Sequence, residues 1–420
     1  MSRMPRIPLL LAALVQSSAL PAQVGAPAPL AGGARWAPAM PTKWNGTLLL
    51  WSRGYSGESG SPDPAPPPLR EALLAQGYAI AASDYGAGGW SLAEAVPAQR
   101  ATVAAFAATH GRPRRVIGIG FSMGGLVTTA LAEERRPAID GAVAMCASIG
   151  GAVGMMNMAL DGAVAFRTLV APDAGIQVTG IRDDRANGRT VADALATAST
   201  TPQGRARVAL AAVLAGLPGW SAKGDPEPAP TDFQAQAAQM AKAFPMGVYL
   251  PRSGQEKRAG GVFSWTTSVD FRAQLATSGR RPMIFALYRA AGLDLDADLA
   301  LLNAAPSITA DAGAVRYMLQ HYTPTARPSV PLVAVQATGD GATSPSLQRF
   351  YVEAAPARMV QGLWVSQPGH CTFTPAQVLA SIHHLEARLD HKAWPSRPAG
   401  FIAYTPPPML RPCLRGGKCR

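Results

Sequence analysis

The sequence has few charged residues and no long apolar run. Charged residues make up 15% of the 420 positions and apolar residues 48%. This balance is typical of a globular chain and unlike that of disordered or coiled-coil sequences. Beyond the N-terminus, no stretch reaches the ~20 residues needed to span a bilayer without a Gly, a Pro or a charge. The composition therefore excludes wholesale disorder and predicts no membrane span.

Lysine is also scarce, since only six of the 38 basic residues are Lys and the Arg residues are scattered along the chain. The formal net charge of +12 indicates solubility and non-specific attraction and does not identify a particular partner. The sequence contains no phosphate-binding Gly-rich loop, no dinucleotide-binding motif after a strand and no nucleic-acid-binding module. We therefore predict no cofactor and no nucleic-acid partner, and the oligomeric state stays open.

The N-terminus has the pattern of an export signal. Arg3 and Arg6 precede an apolar run over 7–15, and small residues follow over 17–19. Residues 1–22 are therefore predicted to be a signal peptide, cleaved within 19–22, and the mature protein is predicted to be secreted or periplasmic.

The chain has only four cysteines, Cys146, Cys371, Cys413 and Cys419. In an oxidising compartment they are expected to be paired, and four cysteines allow three connectivities. Cys413 and Cys419 bracket a short loop and are expected to pair locally, which would leave Cys146 for Cys371. An unpaired, buried Cys371 is the alternative. No histidine pair shares a metal-ligand spacing with these cysteines, so we predict no metal site.

Predicted strands and helices alternate at both ends of the chain. This alternation predicts an α/β fold, with a mostly parallel sheet covered by helices on both faces. The strands are predicted over 47–51, 77–83, 116–120, 141–146, 330–337 and 359–365, and the helices between them over 69–76, 92–109, 123–134, 345–354 and 375–389.

Only helical patterns occur in the middle of the chain. The predicted organisation is therefore a core over 23–149, a helical cap or lid over 150–327, the second part of the core over 328–393, and a tail over 394–420 that holds a cysteine pair. The charged, Gly-flanked run over 254–261 is expected to be a solvated loop. The helices of the cap are predicted over 157–170, 191–215, 231–244 and 311–320.

A Gly-x-Ser-x-Gly pentapeptide stands between a predicted strand and a predicted helix. Gly120 and Gly124 flank Ser122 at two residues' distance, where a sharp strand-to-helix turn leaves no room for side chains. The turn places Ser122 at a helix N-terminus, where the dipole and free N–H groups favour negative charge. Ser122 is therefore the predicted nucleophile, and a simple Gly-rich turn is the alternative.

This segment resembles the nucleophile turn of the α/β-hydrolase superfamily, whose chain order is nucleophile, acid, histidine. The resemblance implies that Asp340, at the end of the strand over 330–337, is the acid and that His370, after the last strand, is the base. Asp84 is a rival acid, although a loop hydrogen-bonding role is expected for it. The other five histidines lie before a strand, in or after a helix, or in the cap, where structural or solvated roles are expected.

The same resemblance implies an oxyanion hole. The superfamily takes one N–H from the residue after the nucleophile, here Met123, and one from the loop after an early strand. In that loop Tyr55 is the predicted donor, and Arg53 stands where many relatives carry His.

Two shorter resemblances concern the substrate. Residues 52–56 and 120–125 resemble the corresponding loops of secreted cutinase-like polyester hydrolases. His370-Cys371 resembles the tannase and feruloyl esterase group, in which a disulfide ties the nucleophile loop to the histidine loop and a lid shapes a pocket for aromatic acids. That group has Cys directly before its Ser, whereas this chain has Phe121, and the resemblance implies that Cys146 supplies the tether instead.

The predicted function is that of a secreted carboxylic ester hydrolase acting without cofactor on small-molecule or polymeric esters with apolar or aromatic acyl groups. The alternatives are a serine peptidase or amidase with the same triad, a tannase- or feruloyl-type or polyester hydrolase, and a non-catalytic binding protein. Aromatic and methionine side chains of the cap, such as Met155 and Phe244, are expected to pack mainly in its core.

Overall fold

The computed structural model describes residues 24–249 and 252–419. The predicted signal peptide lies outside these residues. Within the described ranges, no helix combines the length and the hydropathy needed to cross a bilayer.

One eight-stranded sheet organises the chain, with the strand order β1-β2-β4-β3-β5-β6-β7-β8. The pairings of β2 with β1 and with β4 are antiparallel, and all other neighbours are parallel. The strands are β1 (Ala28–Pro29), β2 (Arg35–Ala39), β3 (Thr47–Ser52), β4 (Ala79–Ser83), β5 (Arg115–Phe121), β6 (Gly141–Met145), β7 (Leu332–Gly339) and β8 (Val360–Pro368).

The central strands are apolar on both faces because helices cover both. Every residue of β3, β6 and β7 is buried. In β3, Leu48 and Leu50 belong to the core on one face, while Leu49 and Trp51 belong to the core on the other, as the alternation of side chains along a strand requires.

Five helices cover the two faces of this sheet. The face that carries Leu49 is covered by α1 (Pro67–Ala75) and α14 (Pro375–His391), and the opposite face by α2 (Leu92–His110), α3 (Met123–Ala132) and α13 (Pro345–Ala354). The prediction of a mostly parallel sheet wound on both faces is confirmed. β1 and β2, however, lie in a Pro-, Ala- and Gly-rich segment in which no strand was predicted.

The insertion between β6 and β7 is helical and has its own apolar core. The predicted helix over 191–215 is two helices, separated at Thr200. In the described part of the insertion the helices are α4 (Ala152–Leu169), α5 (Asp184–Ser199), α6 (Pro202–Leu214), α7 (Phe233–Val248), α8 (Ser253–Ala259), α9 (Phe271–Thr277), α10 (Arg281–Ala290), α11 (Leu295–Ala304) and α12 (Ala312–Tyr322).

The prediction of a solvated loop over 254–261 is wrong. The segment forms α8, in which Gln255 and Glu256 are buried. The Glu256 carboxylate accepts a hydrogen bond of 2.8 Å from the Gly180 N–H. Glu256, whose charge predicted exposure to solvent, therefore anchors this helix to a neighbouring loop.

The tail after α14 contacts both the sheet and the insertion. Ile402 forms a single antiparallel bridge with Trp364 of β8, and its N–H donates to the Trp364 carbonyl at 2.9 Å. Farther along, Arg411 donates to the carboxylate of Asp161 in α4 at 2.8 Å, with both side chains buried. The tail therefore connects β8 to the helical insertion.

Candidate active site

Ser122 occupies the turn between β5 and α3. Its φ of 57° lies in the left-handed region, which is costly for a residue with a side chain and persists only where the surroundings hold it. Here the Ser122 N–H donates to the Met145 carbonyl of β6, and the Ser122 carbonyl accepts from Gly125, both at 3.0 Å.

The two glycines of the pentapeptide are required by close backbone contacts. A Cβ atom on Gly124 would lie 2.0 Å from the Ser52 carbonyl oxygen and 2.5 Å from that of Arg53. A Cβ on Gly120 would lie 2.1 Å from the carbonyl oxygen of Gly124. The end of β3 therefore presses on the turn, and only glycine fits at these positions.

The structure brings Ser122, His370 and Asp340 together, although up to 248 residues separate them in sequence. Asp340 directly follows β7 and His370 follows β8, and these two strands are neighbours in the sheet. His370 Nε2 lies 2.9 Å from Ser122 Oγ, and His370 Nδ1 lies 2.8 Å from Asp340 Oδ2. The three side chains form one continuous hydrogen-bonded chain.

The carboxylate of Asp340 is fully buried and held by its own loop. Its Oδ1 accepts from the N–H groups of Ala342 and Thr343, each at 2.9 Å. The Thr343 hydroxyl lies 2.9 Å from Asp340 Oδ2 and 2.9 Å from the Cys146 carbonyl, and donates to one of them at a time. An acceptor-only carboxylate in this position requires that Nδ1 of His370 carries the hydrogen, which leaves Nε2 as an acceptor.

Two opposing effects set the pKa of His370. Burial of the imidazole disfavours its charged form and lowers the pKa, but the charge of Asp340 and its hydrogen bond to the ring favour that form. The attraction wins, so the pKa of His370 is raised above its usual value. The site therefore stabilises an imidazolium, the species that forms when His370 accepts a proton.

The loop after β3 lies against the turn that carries Ser122. A Cβ on Gly54 would lie 3.4 Å from the Phe121 carbonyl oxygen and 3.5 Å from Ser122 Cβ. Tyr55, the next residue, forms part of the same cavity wall as Ser122. The predicted donors, Tyr55 and Met123, thus belong to the two segments that meet at Ser122.

Arg53 fixes this loop, a role that the sequence analysis did not predict. Its guanidinium donates to the carbonyl oxygens of Asp84 at 3.0 Å and Ala87 at 2.6 Å, and stacks 4.5 Å above the ring of Tyr85. Burial lowers the pKa of Arg53, while Tyr85 and Asp84 oppose this effect. The rival acid Asp84 accepts from the N–H groups of Arg35 and Gly86, at 2.8 and 2.9 Å, which is the predicted loop role.

A cavity of about 370 Å³ opens beside Ser122. None of the described residues that line it is Arg, Lys, Asp or Glu. Met155 of α4 and Met246 of α7 come from the helical insertion, and Met246 is 55% exposed. The lining residues are Gly54, Tyr55, Trp90, Phe121, Ser122, Ser148, Met155, Met246, Ala342, Thr343, His370 and Cys371.

A disulfide joins Cys146, directly after β6, to Cys371, directly after His370. This is the pairing that the sequence analysis expected, and Cys413 pairs with Cys419. Cys146 and Cys371 have φ values of 43° and 56°, so both share the positive φ of Ser122. The Sγ of Cys371 lies 3.4 Å from His370 Nε2, which places the disulfide against the hydrogen-bonded chain.

The strand order, the sharp turn at Ser122, and an acid and a histidine after the last two strands together define one fold. The chain has the α/β-hydrolase fold. No protein-family model matches the chain. It is similar to a curated protein, the o-phthalyl amidase of Xanthobacter agilis, with 28% identity over 396 residues in an alignment that covers 85% of each chain.

The solved structures that are similar to this chain are more distant in sequence. The proline iminopeptidase of Mycobacterium smegmatis has a TM-score of 0.41 at 14% identity, over 88% of this chain and 99% of its own. Lipase A of Candida antarctica has a TM-score of 0.43 at 14% identity, over 90% and 80%. Feruloyl esterase B of Aspergillus oryzae has a TM-score of 0.39 at 10% identity, over 86% and 79%.

Proposed function

We propose that this protein is a hydrolase that cleaves carboxylic esters by transferring the acyl group to Ser122 and then to water. The observation that carries the proposal is the continuous hydrogen-bonded chain of Ser122, His370 and Asp340 beside an apolar cavity. The buried carboxylate and the oriented imidazole of this arrangement serve proton transfer, which a binding protein without catalysis does not need.

In the proposed mechanism, His370 Nε2 accepts the proton of Ser122 as the hydroxyl attacks the carbonyl carbon. Asp340 holds Nδ1–H and stabilises the imidazolium, which then protonates the leaving group. Water enters, loses a proton to Nε2 and releases the acid. The N–H groups of Met123 and Tyr55 are the proposed donors to the oxyanion.

The wall of the cavity favours an uncharged acyl group. Phe121, Trp90, Met155 and Met246 offer apolar and aromatic surface, and the described lining includes no Arg or Lys that could pair with an anionic substituent. Because a buried charge without a partner is costly, we propose that the enzyme takes apolar or aromatic acyl groups and discriminates against negatively charged ones.

Amide hydrolysis is the second candidate, because the curated relative carries the name o-phthalyl amidase. A phthalyl group is an aromatic acyl group with a second carboxyl at the ortho position. The aromatic part suits the cavity, whereas the carboxylate has no cationic partner in the described lining.

Matched substrates separate these candidates. Purified protein is assayed on a benzoyl ester, the benzoyl anilide and the o-carboxybenzoyl anilide, with a feruloyl ester, a galloyl ester and a polyester film to place the tannase-, feruloyl- and cutinase-type alternatives. We expect kcat/KM to be at least about 10-fold higher for the benzoyl ester than for the anilide. Preference for an anilide, above all for the o-carboxybenzoyl one, would assign the protein as an amidase.

Ser122→Ala is the matched control, with an expected loss of roughly 10⁴-fold to 10⁶-fold in kcat. If the variant keeps full activity, or if a serine-directed phosphonate fails to label the wild type, the mechanism is refuted.

We further propose that residues 1–22 direct export and that residues 150–327 act as a lid over the cavity. Two observations support these proposals: two disulfides, which persist in oxidising compartments, and the contribution of Met155 and Met246 to the cavity wall. N-terminal sequencing of protein from the periplasm or medium is expected to start within 20–23, and an intact Met1 on exported protein would refute the signal-peptide proposal.

A further inference from the structure

Three atoms that bind soft metals meet at the catalytic histidine. The Sγ atoms of Cys146 and Cys371 and a ring nitrogen of His370 all lie within 4.8 Å of one another. In the disulfide form the sulfurs are bonded to each other and cannot act as thiolate ligands. Reduction breaks the bond between the sulfurs and frees both as thiols, each of which can then supply a thiolate ligand.

We propose that the reduced protein binds one Zn²⁺ between the thiolates of Cys146 and Cys371 and Nε2 of His370, and that this metal switches the hydrolase off. Metal binding stands on the geometry of the three ligands alone. Only the loss of activity rests on the proposed function.

The observed distances suit a tetrahedral zinc ion. Zinc binds sulfur at about 2.3 Å and imidazole nitrogen at about 2.0 Å, so a tetrahedral site separates a nitrogen from a sulfur ligand by about 3.5 Å. Nε2 of His370 already lies 3.4 Å from Sγ of Cys371. The two sulfurs must separate to about 3.8 Å, a displacement that breaking their bond permits.

The surroundings of His370 resemble those of a zinc-binding histidine. Such a histidine donates its other ring N–H to a carboxylate or a carbonyl, which fixes the ring and makes the ligating nitrogen more basic. Here Nδ1 lies 2.8 Å from Oδ2 of Asp340, which is itself held by two backbone N–H groups. Nε2 thereby lies 2.9 Å from Ser122 Oγ and 3.4 Å from Cys371 Sγ.

The metal has a route to the site and a place for its fourth ligand. Cys371, His370 and Ser122 all line the cavity, so an ion can enter from that side. The fourth position faces Ser122 Oγ, which lies 2.9 Å from Nε2, and takes either that oxygen or a water.

The chemistry balances with a dithiol as the reductant. The dithiol transfers two electrons and two protons to the Cys146–Cys371 bond, giving two protein thiols and a cyclic disulfide. Zn²⁺ then displaces one proton from each thiol. Because the lone pair of Nε2 now lies in the zinc–nitrogen bond, His370 can no longer accept the proton of Ser122.

The binding experiment uses a variant that retains only this cysteine pair, Cys413→Ser/Cys419→Ser. The protein is reduced with a dithiol, separated from it under argon, and titrated with Co²⁺ and then with Zn²⁺ against a chromophoric chelator. We expect one metal per chain and a thiolate-to-cobalt charge-transfer band. The same protein left oxidised is a folded control and is expected to give neither signal.

Substitutions assign the ligands. Cys146→Ser/Cys371→Ser is expected to abolish the cobalt band, His370→Ala to weaken zinc binding at least about 10-fold, and Asp340→Asn to weaken it roughly 10-fold to 100-fold. Absence of metal binding by the reduced protein, or an affinity that His370→Ala leaves unchanged, overturns the proposed site.

The activity experiment is separate. One equivalent of Zn²⁺ is expected to remove more than nine-tenths of the ester hydrolysis of the reduced variant, to leave the oxidised enzyme unaffected, and to be reversed by chelation. Equal inhibition of both forms overturns the switch. A reduced protein that is inactive without metal also overturns the switch. If the oxidised enzyme hydrolyses no substrate, the proposed function fails, and in both cases the metal titration alone still decides the site.

Discussion

Removing the Cys146–Cys371 disulfide should destabilise the protein more than removing the Cys413–Cys419 disulfide. The two bonds join residues that are 225 and 6 positions apart. A cross-link acts mainly by restricting the unfolded chain, and the restriction grows with the logarithm of the loop length. The chain-entropy relation gives about 5 kcal/mol for the long loop and about 2 kcal/mol for the short one at 25 °C.

Urea unfolding of Cys146→Ala/Cys371→Ala and Cys413→Ala/Cys419→Ala measures this difference. Both double variants have the same chemistry, and Cys146 and Cys413 are fully buried, so loss of packing is similar at the two sites. The wild type in reductant is expected to unfold like the variant with all four cysteines replaced. A free energy of unfolding lowered equally by the two variants, or lowered more by loss of the short loop, would refute the reasoning.

Three further predictions concern pH, ion pairing and backbone contact. Because only the neutral ring of His370 accepts a proton and its pKa is raised, the pH profile of kcat/KM should fall on the acid side with a midpoint above pH ~6.5. In Asp340→Asn this midpoint should move to lower pH, and kcat should fall roughly 10⁴-fold. Arg411→Met should cost 3–5 kcal/mol, or about that, by leaving the Asp161 carboxylate buried without its partner. Burial raises the pKa of Asp161 to about 6 even with Arg411 present, so the loss of stability should be smaller at pH 5, where the carboxyl is protonated. Thermal melts of the wild type and the variant at pH 5 and pH 8 measure this difference. Gly124→Ala should reduce phosphonate labelling at least about 100-fold, because its Cβ meets the carbonyl oxygens at the end of β3. An unchanged pH profile in Asp340→Asn would contradict the argument on His370. A loss of stability for Arg411→Met that grows at pH 5 would contradict the one on Asp161, and normal labelling of Gly124→Ala the one on the turn.

The sheet was predictable because its strands are apolar on both faces and stand out between polar turns. β3, β6 and β7 lie within two residues of their predicted bounds. β1 and β2 were not predicted, because short strands rich in Ala and Pro carry little hydrophobic signal. Their place is set by antiparallel pairing with each other and with β4, which is tertiary information.

The insertion was only partly predictable. The break between α5 and α6 has a local signal, since Thr201 caps α6 by accepting from the Gly204 N–H and Pro202 opens the helix. Asp270 and Asp294 cap α9 and α11 in the same way. These short helices were missed because they are not periodic enough to stand out, although their caps are visible in the sequence.

In the site, the pentapeptide and the chain order of the superfamily that it resembles predicted the residues that meet at Ser122. The residues of the cavity wall were not predictable in this way. Trp90 reaches it from the loop between β4 and α2, and Met246 from α7 of the insertion, and neither segment carries a motif. The roles of Arg53 and of the insertion's Met155 likewise depend on contacts between segments far apart in the chain.

The bridge between Ile402 and Trp364 has a consequence for handling the protein in solution. β8 is the last strand of the sheet at that end, and an edge strand with free N–H and C=O groups can pair with the same strand of another molecule. Ile402 occupies part of that edge, and the Arg411–Asp161 ion pair holds the tail in place. A chain cut before Ile402 would therefore expose this edge of the sheet and leave the buried Asp161 carboxylate without its arginine partner. We therefore expect the tail to limit edge-to-edge association of the protein as well as to join β8 to the insertion.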